Sequence, residues 1–260
     1  MESEKKIRKA YENSDFLRSR EGRSMRILSE FAEPQARFER LGLRDTIVMF
    51  GSARVPSAEE AQSESCDKSE DLKVMSHYYE AARELARRLS EWSMGLEDDP
   101  GRYVICTGGG PGIMEAANRG AREVGARTAG LTISLPREEF ENTYVSEELA
   151  FEFHYFFMRK FWFTYLAKAV IAMPGGFGTL DELFELLTLV QTNKMKKKIP
   201  IVLFGSEFWD EVFNLETMVR HGTINKEDLD LFYRTDSVDA AYDYITDHLI
   251  NGPPETGPVL

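Results

Sequence analysis

Cysteine is scarce: the 260 residues contain two, Cys66 and Cys106, with no CxxC pair and no Cys/His cluster at metal-ligand spacing. Neither a disulfide framework nor a structural zinc site is supported, and the expected compartment is a reducing cytoplasm. Long apolar runs are missing too. The longest uncharged stretches, Tyr103 to Met114 and Ala169 to Leu180, are each broken by a proline and several glycines. Both fall short of the roughly 20 apolar residues that a spanning helix needs. The charged start, Met1 to Lys6, leads into no apolar segment, which predicts no signal peptide, and no membrane is expected as a partner. Positive charge is in deficit, with 32 Lys and Arg against 44 Asp and Glu, a net of −12. That field repels polyanions, so nucleic acid is not expected as a partner either.

What is present suits a globular chain. With 42% hydrophobic and 29% charged residues, the sequence is long enough to bury a sizeable core, which excludes disorder or a fibre. Residues 1–43 carry ten basic and eight acidic residues with scattered apolar positions such as Ile27, Leu28 and Phe31. This pattern reads as an N-terminal helical extension. From Thr46 short apolar runs begin: Thr46 to Phe50, Tyr103 to Cys106, Thr128 to Ile133, Ala169 to Met173 and Pro200 to Phe204. Helical stretches separate them, among them Tyr78 to Trp92 and Ile113 to Val124. Alternation of this kind predicts an α/β fold, a Rossmann-like doubly wound parallel sheet with helices on both faces, spanning 44–250. Ser57 to Lys73, with six acidic residues and no periodicity, reads as a solvated or disordered loop. The segment 251–260, rich in proline and glycine, reads as a loosely held tail.

Two glycine-rich segments follow predicted strands and open predicted helices, where an open parallel sheet binds its ligand. They are Thr107-Gly-Gly-Gly-Pro-Gly-Ile-Met-Glu115 and Pro174-Gly-Gly-Phe-Gly-Thr-Leu-Asp-Glu182. Glycine lets the backbone approach a ligand, and free N–H groups at a helix start favour an anion, so phosphate is the natural guest. A dinucleotide GxGxxG begun at Gly108 or Gly110 fails, because its last position falls on Ile113 or Glu115. A Walker A loop fails as well, since the second segment reads Gly178-Thr179-Leu180.

Pro174-Gly175-Gly176-x-Gly178-Thr179-x-x-Glu182 resembles the PGGxGTxxE signature of the LOG (lonely guy) family. These are cytokinin riboside 5′-monophosphate phosphoribohydrolases, often labelled lysine decarboxylases. The first glycine motif, Gly108 to Met114, and the pair Arg159-Lys160 ahead of the PGG strand complete the resemblance, which covers about 45 to 205. It implies hydrolysis of the N-glycosidic bond of a purine nucleoside 5′-monophosphate, AMP or a cytokinin ribotide, to free base and ribose 5-phosphate. Neither metal nor organic cofactor is implied.

On that reading Gly175, Gly176, Gly178 and Thr179 bind the 5′-phosphate through backbone amides and a hydroxyl. Glu182 either stabilises the positive charge developing at C1′ or activates the attacking water. Its plainer reading is an acid favoured near a helix start by the macrodipole. Nine of the fifteen residues from Phe151 to Tyr165 are aromatic, so a helix there is expected to be buried, and a guanidinium at Arg159 needs an anionic partner. Arg159 then binds the phosphate or Glu182, or assists the leaving base; otherwise it is a structural ion pair. His154 lies five residues before Arg159, out of step with the family's Met-His-x-Arg-Lys, and reads as a core histidine.

Gly109, Gly110 and Gly112 of the first loop are candidates to bind the substrate or its phosphate, and Glu115 just after it either receives the base or hydroxyls or is an ordinary helix-start acid. Ser52 and Arg54, closing the first strand, are candidates to line the same cleft, with a solvent-facing role the equal alternative for Arg54, and Thr107 and Asn118 are weaker ones. The aromatic surplus of 151–165 suits a core and a homodimer interface. The main alternative is a non-catalytic nucleotide- or molybdenum-cofactor-binding carrier or sensor of the same fold. A pyridoxal-phosphate decarboxylase, suggested by the older family label, lacks a nominee for the Schiff-base lysine.

Overall fold

The computed structural model describes residues 8–96, 101–134 and 142–252. Two helices open the chain, α1 (Ser14–Arg18) and α2 (Arg23–Arg40), followed by strand β1 (Thr46–Phe50) and three helices, α3 (Ala58–Gln62), α4 (Glu70–Val74) and α5 (Ser76–Met94). Then come β2 (Val104–Thr107), α6 (Ile113–Glu123), β3 (Thr128–Ile133), β4 (Ala150–Phe153), α7 (Phe156–Leu166), β5 (Ala167–Ala172) and α8 (Phe177–Gln191). The chain continues through β6 (Ile201–Phe204), α9 (Ser206–Val212), α10 (Leu215–Arg220), β7 (Tyr233–Thr235) and α11 (Val238–Asn251).

Among the described residues the seven strands are all parallel, in the order β4-β3-β2-β1-β5-β6-β7. The chain winds outward from β1 on one side, then returns to β5 and winds outward on the other, which is the doubly wound arrangement of a Rossmann-like fold. Strand residues alternate between two cores because successive side chains point to opposite faces. Val48, Phe50, Val170, Ala172, Ile201 and Leu203 pack with Phe38 of α2, Trp162 of α7, Leu183 of α8 and Trp209 of α9. Ile47, Met49, Ala169, Ile171, Val202 and Phe204 pack with α5, α6 and α11 through Leu85, Ile113 and Ile245. The central strands are therefore mostly apolar, as a sheet covered on both faces requires.

Small residues let α5 and α6 approach. A side chain at Gly120 of α6 would begin 2.0 Å from the Arg83 carbonyl of α5. On the other face α2 buries Phe38, and Phe31, two turns earlier and partly exposed, packs on α7. Phe38 meets Phe151 at 4.7 Å and Trp162 at 5.3 Å between ring centres, and Phe31 meets Phe161 and Trp162 at 5.6 and 5.7 Å.

Two expectations change. Ser57 to Lys73 is not a featureless loop: α3 and α4 form there because Ser57 accepts from the Glu60 N–H and Ser69 from the Leu72 N–H. Glu59, Glu60, Glu70 and Asp71 then sit in first turns, where the helix dipole favours acids. The aromatic stretch 151–165 is divided, with Phe151 and Phe153 in β4 and the rest in or near α7, and Phe156 and Phe157 stand about half exposed. Its burial is thus one-sided. Of the segment 251–260 expected as a tail, Asn251 ends α11, and residues 253–260 lie outside the described residues.

Candidate active site

The strand order reverses between β1 and β5, and the loops leaving their carboxyl ends meet there, as the switch-point rule requires. Backbone hydrogen bonds tie three turns together. The Ser52 N–H donates to the Pro174 carbonyl (2.9 Å), the Met173 N–H to that of Phe50 (2.9 Å) and the Ile113 N–H to that of Ser52 (3.0 Å). A cleft of about 820 Å³ opens above them. Ser52, Arg54, Gly108, Gly175, Gly176, Gly178, Thr179, Arg159 and Glu182 line it, so the structure brings together residues from four separate segments. Phe156, Phe163, Met114, Ile133 and Val212 supply an apolar wall.

Within the second loop each glycine has its own use. A Cβ on Gly175 would lie 2.1 Å from Oγ1 of Thr179, so the missing side chain lets that hydroxyl fold back over the loop. Around Gly176 and Gly178 there is nothing within 4 Å of where a side chain would start. Open space thus lies against the amino end of α8, where backbone N–H groups have no helical partner and the dipole is positive. An anion fits there.

Glu182 sits on the next turn of α8, and Arg159 reaches it from α7: Nη2 donates to Oε1 at 3.2 Å. Both side chains are largely buried, 13% and 8% exposed for Arg159 and Glu182. Burial pushes the Glu182 carboxyl up to about 7, against the pull of Arg159 and Lys160. The same burial draws the guanidinium of Arg159 below its usual range, with Glu182 opposing. Its charge also lies over the rings of Phe156 and Phe163, 5.1 and 5.7 Å from their centres. Nε of Arg159 is buried without a hydrogen-bond partner.

Asp181 and Glu185 flank Glu182 in sequence but turn outward to Lys160, at 3.0 and 2.7 Å. Burial opposes the charge on Lys160, but its bonds to Glu185 and Asp181 outweigh this and raise its pKa. Lys160 thus pairs with both neighbouring acids, while Glu182 faces the cleft. Among the described residues no group of three His, Cys, Asp or Glu is placed to hold a metal ion.

The first glycine loop contributes less directly. Gly109, Gly110, Gly112 and Glu115 do not line the cleft. Gly112, at φ +66°, fits under the β1 turn, where a Cβ would meet the Ser52 carbonyl at 2.4 Å; Gly109, at φ +68°, packs on β3. Glu115 accepts a hydrogen bond from the Tyr79 hydroxyl (2.8 Å) on α5. Thr107 and Asn118 form a buried network, in which the Thr107 hydroxyl donates to Asn118 (2.7 Å) and accepts from the Gly109 N–H (3.0 Å). They shape the loop from behind. His154 is exposed, not a core residue, because it lies in the corner between β4 and α7.

Sequence reasoning missed the apolar wall. Phe177, 93% exposed at the cleft rim, stood inside the quoted signature, and Gly108 inside the first loop. Met114, Ile133, Phe163 and Val212 come from four different elements or their ends, and no local pattern links them.

Fold and site together define a Rossmann-like α/β protein with an anion-suited helix start beside a buried Arg–Glu pair. The family model described as "Possible lysine decarboxylase" matches residues 114–245, just over half of the chain. The chain belongs to this family, the LOG family. It is similar to the cytokinin riboside 5′-monophosphate phosphoribohydrolase LOG7 of Arabidopsis thaliana, 29% identical over 127 residues covering 48% of this chain and 54% of the relative. It is also similar to the phosphoribohydrolase LOG of Oryza sativa subsp. japonica, 31% identical over 126 residues, 48% of each chain. The alignments thus span about half the length of the curated relatives. Among solved structures, the X-ray structure of TM1055, a structural genomics target, matches with a TM-score of 0.50 at 22% identity over 78% of this chain and 99% of that one, a likeness of fold. The Moco carrier protein from Chlamydomonas reinhardtii matches at a TM-score of 0.49 and 18% identity, over 80% and 99%. Among the described residues no helix is long and apolar enough to cross a membrane.

Proposed function

We propose that the protein hydrolyses the N-glycosidic bond of a purine nucleoside 5′-monophosphate, AMP or an N6-substituted relative, releasing base and ribose 5-phosphate. The observation that carries this reading is the buried Arg159–Glu182 pair facing an open anion site at the start of α8. The 5′-phosphate sits against the backbone of Gly176 and Gly178 and the hydroxyl of Thr179. Ribose then lies over the following turn, within reach of Glu182. As the glycosidic bond breaks, positive charge grows at C1′ and the ionised Glu182 stabilises it or takes the proton of the attacking water. A carboxyl held at about 7 is poised for proton exchange at neutral pH. Arg159 holds that carboxylate in place. The apolar wall of Phe156, Met114 and Ile133 suits a flat purine.

A carrier needs the phosphate site but has no use for a carboxylate whose burial costs stability, and this favours the hydrolase. Incubation with AMP, GMP, CMP and N6-isopentenyl AMP, followed by chromatography of the products, tests the reading. Free purine and ribose 5-phosphate in equal amounts are expected; tight binding with the nucleotide intact would leave only the carrier.

A further inference from the structure

The α2 helix lies outside residues 114–245 that the family model matches, yet it holds the corner from which the Arg159 helix starts. The Glu30 carboxylate accepts from two consecutive backbone N–H groups, His154 through Oε1 (2.8 Å) and Tyr155 through Oε2 (3.1 Å). Tyr155 is the residue before α7, and no side chain of its own caps that helix. The first turn of α7 closes when the Arg159 N–H donates to the Tyr155 carbonyl at 3.2 Å. One residue therefore connects them: its N–H is held by Glu30 and its carbonyl holds Arg159.

A second attachment lies one turn on, where Nε1 of Trp162 donates to the Glu30 carbonyl at 3.0 Å. Phe31, the next residue of α2, packs on both Phe161 and Trp162. At the far end of α7 the buried Lys197 donates to the carbonyls of Thr164 (3.2 Å), Tyr165 (2.5 Å) and Ala167 (3.4 Å). The helix is thus fixed at both ends by charged side chains from outside it, negative at its amino end and positive at its carboxyl end, each opposing the local dipole.

We infer that Glu30 is a positioning residue of the active site: through the amino end of α7 it sets where Arg159 meets Glu182. The inference rests on the phosphoribohydrolase reading above, since it assigns Glu30 an effect on that chemistry. A guanidinium displaced by about 1 Å is enough to cost a large factor in rate even when the substrate still binds.

The test uses the full chain with Glu30→Ala, Glu30→Gln and Arg37→Ala. Arg37 also joins α2 to this region, donating to the Ala150 carbonyl at 2.8 Å, but touches the far end of β4 and not α7. For AMP hydrolysis, Glu30→Ala is expected to lower kcat about tenfold or more with KM within about twofold. Glu30→Gln, which keeps one acceptor, recovers part of the loss, and Arg37→Ala leaves kcat unchanged although it lowers Tm. In an Arg159→Ala background Glu30→Ala causes no further loss. Unchanged kcat in Glu30→Ala, full additivity with Arg159→Ala, or an equal loss in Arg37→Ala overturns the inference.

Amide hydrogen exchange separates this from failure of the functional reading. Should the wild type release no base, that reading fails. Faster exchange at the Arg159 amide in Glu30→Ala but not in Arg37→Ala would still show α7 held by Glu30, and equal exchange in both would overturn that too.

Discussion

Glu182 is held in opposition: burial favours its neutral form, Arg159 its ionised form, and burial prevails, leaving the group near 7. If the ionised carboxylate performs the reaction, log kcat/KM for base release rises with pH, with unit slope below about 7, and levels off above it; a pH series on AMP reads this. Stability moves the other way. The folded pKa lies above the ordinary 4.5, so between 4.5 and 7 the folded protein binds the extra proton, and this group's contribution falls as pH rises through that window. Glu182→Gln removes both dependences. A different residue-scale demand falls on Gly112, where a positive φ and the Ser52 carbonyl at 2.4 Å both exclude a side chain. Gly112→Ala should cost about 1–3 kcal/mol in urea unfolding, and an unchanged midpoint would show that the β1 turn yields. Gly112 was legible in the sequence as a loop glycine, but not its purpose, because the Ser52 turn lies about sixty residues earlier in the chain.

At the scale of elements, legibility followed length and burial. β1 and β3 coincide with the apolar runs expected, and β2, β5 and β6 differ by one or two residues at one or both ends, because central strands buried on both faces are mostly apolar, with Lys168 near the start of β5 the charged exception. The edge strands β4 and β7, four and three residues long, left no such run: Glu152 and Arg234 interrupt them. The helices α3 and α4, of five residues each, are too short to show a period, and their capping serines were the signal available. Packing between elements was hidden in another way. Gly120 reads in sequence as a weak point of a helix, yet it is where α6 comes closest to α5. Gly120→Ala should therefore lose about 1–3 kcal/mol from steric overlap with the Arg83 carbonyl, against the gain expected from helix propensity alone. Thermal unfolding distinguishes the two by sign.

For the whole molecule, the topology explains why the site was partly readable. The switch point needs only the order of strands and the loops that follow β1 and β5, and both were marked by glycine and short polar residues. Ser52, Arg159, Thr179 and Glu182 consequently converge as their motifs imply. The rotation of α6, which turns Glu115 toward Tyr79, and the apolar wall assembled from separate elements follow from three-dimensional packing alone. So does the attachment of α2, whose aromatic face completes one of the two cores.

The most direct test of the account compares wild type with Glu182→Gln for AMP affinity by calorimetry and for free adenine by chromatography, on the same preparations. Both proteins are expected to bind AMP, and the wild type alone to release adenine with an equal amount of ribose 5-phosphate. Equal release by the two proteins, or binding by both with no adenine from either, would contradict it.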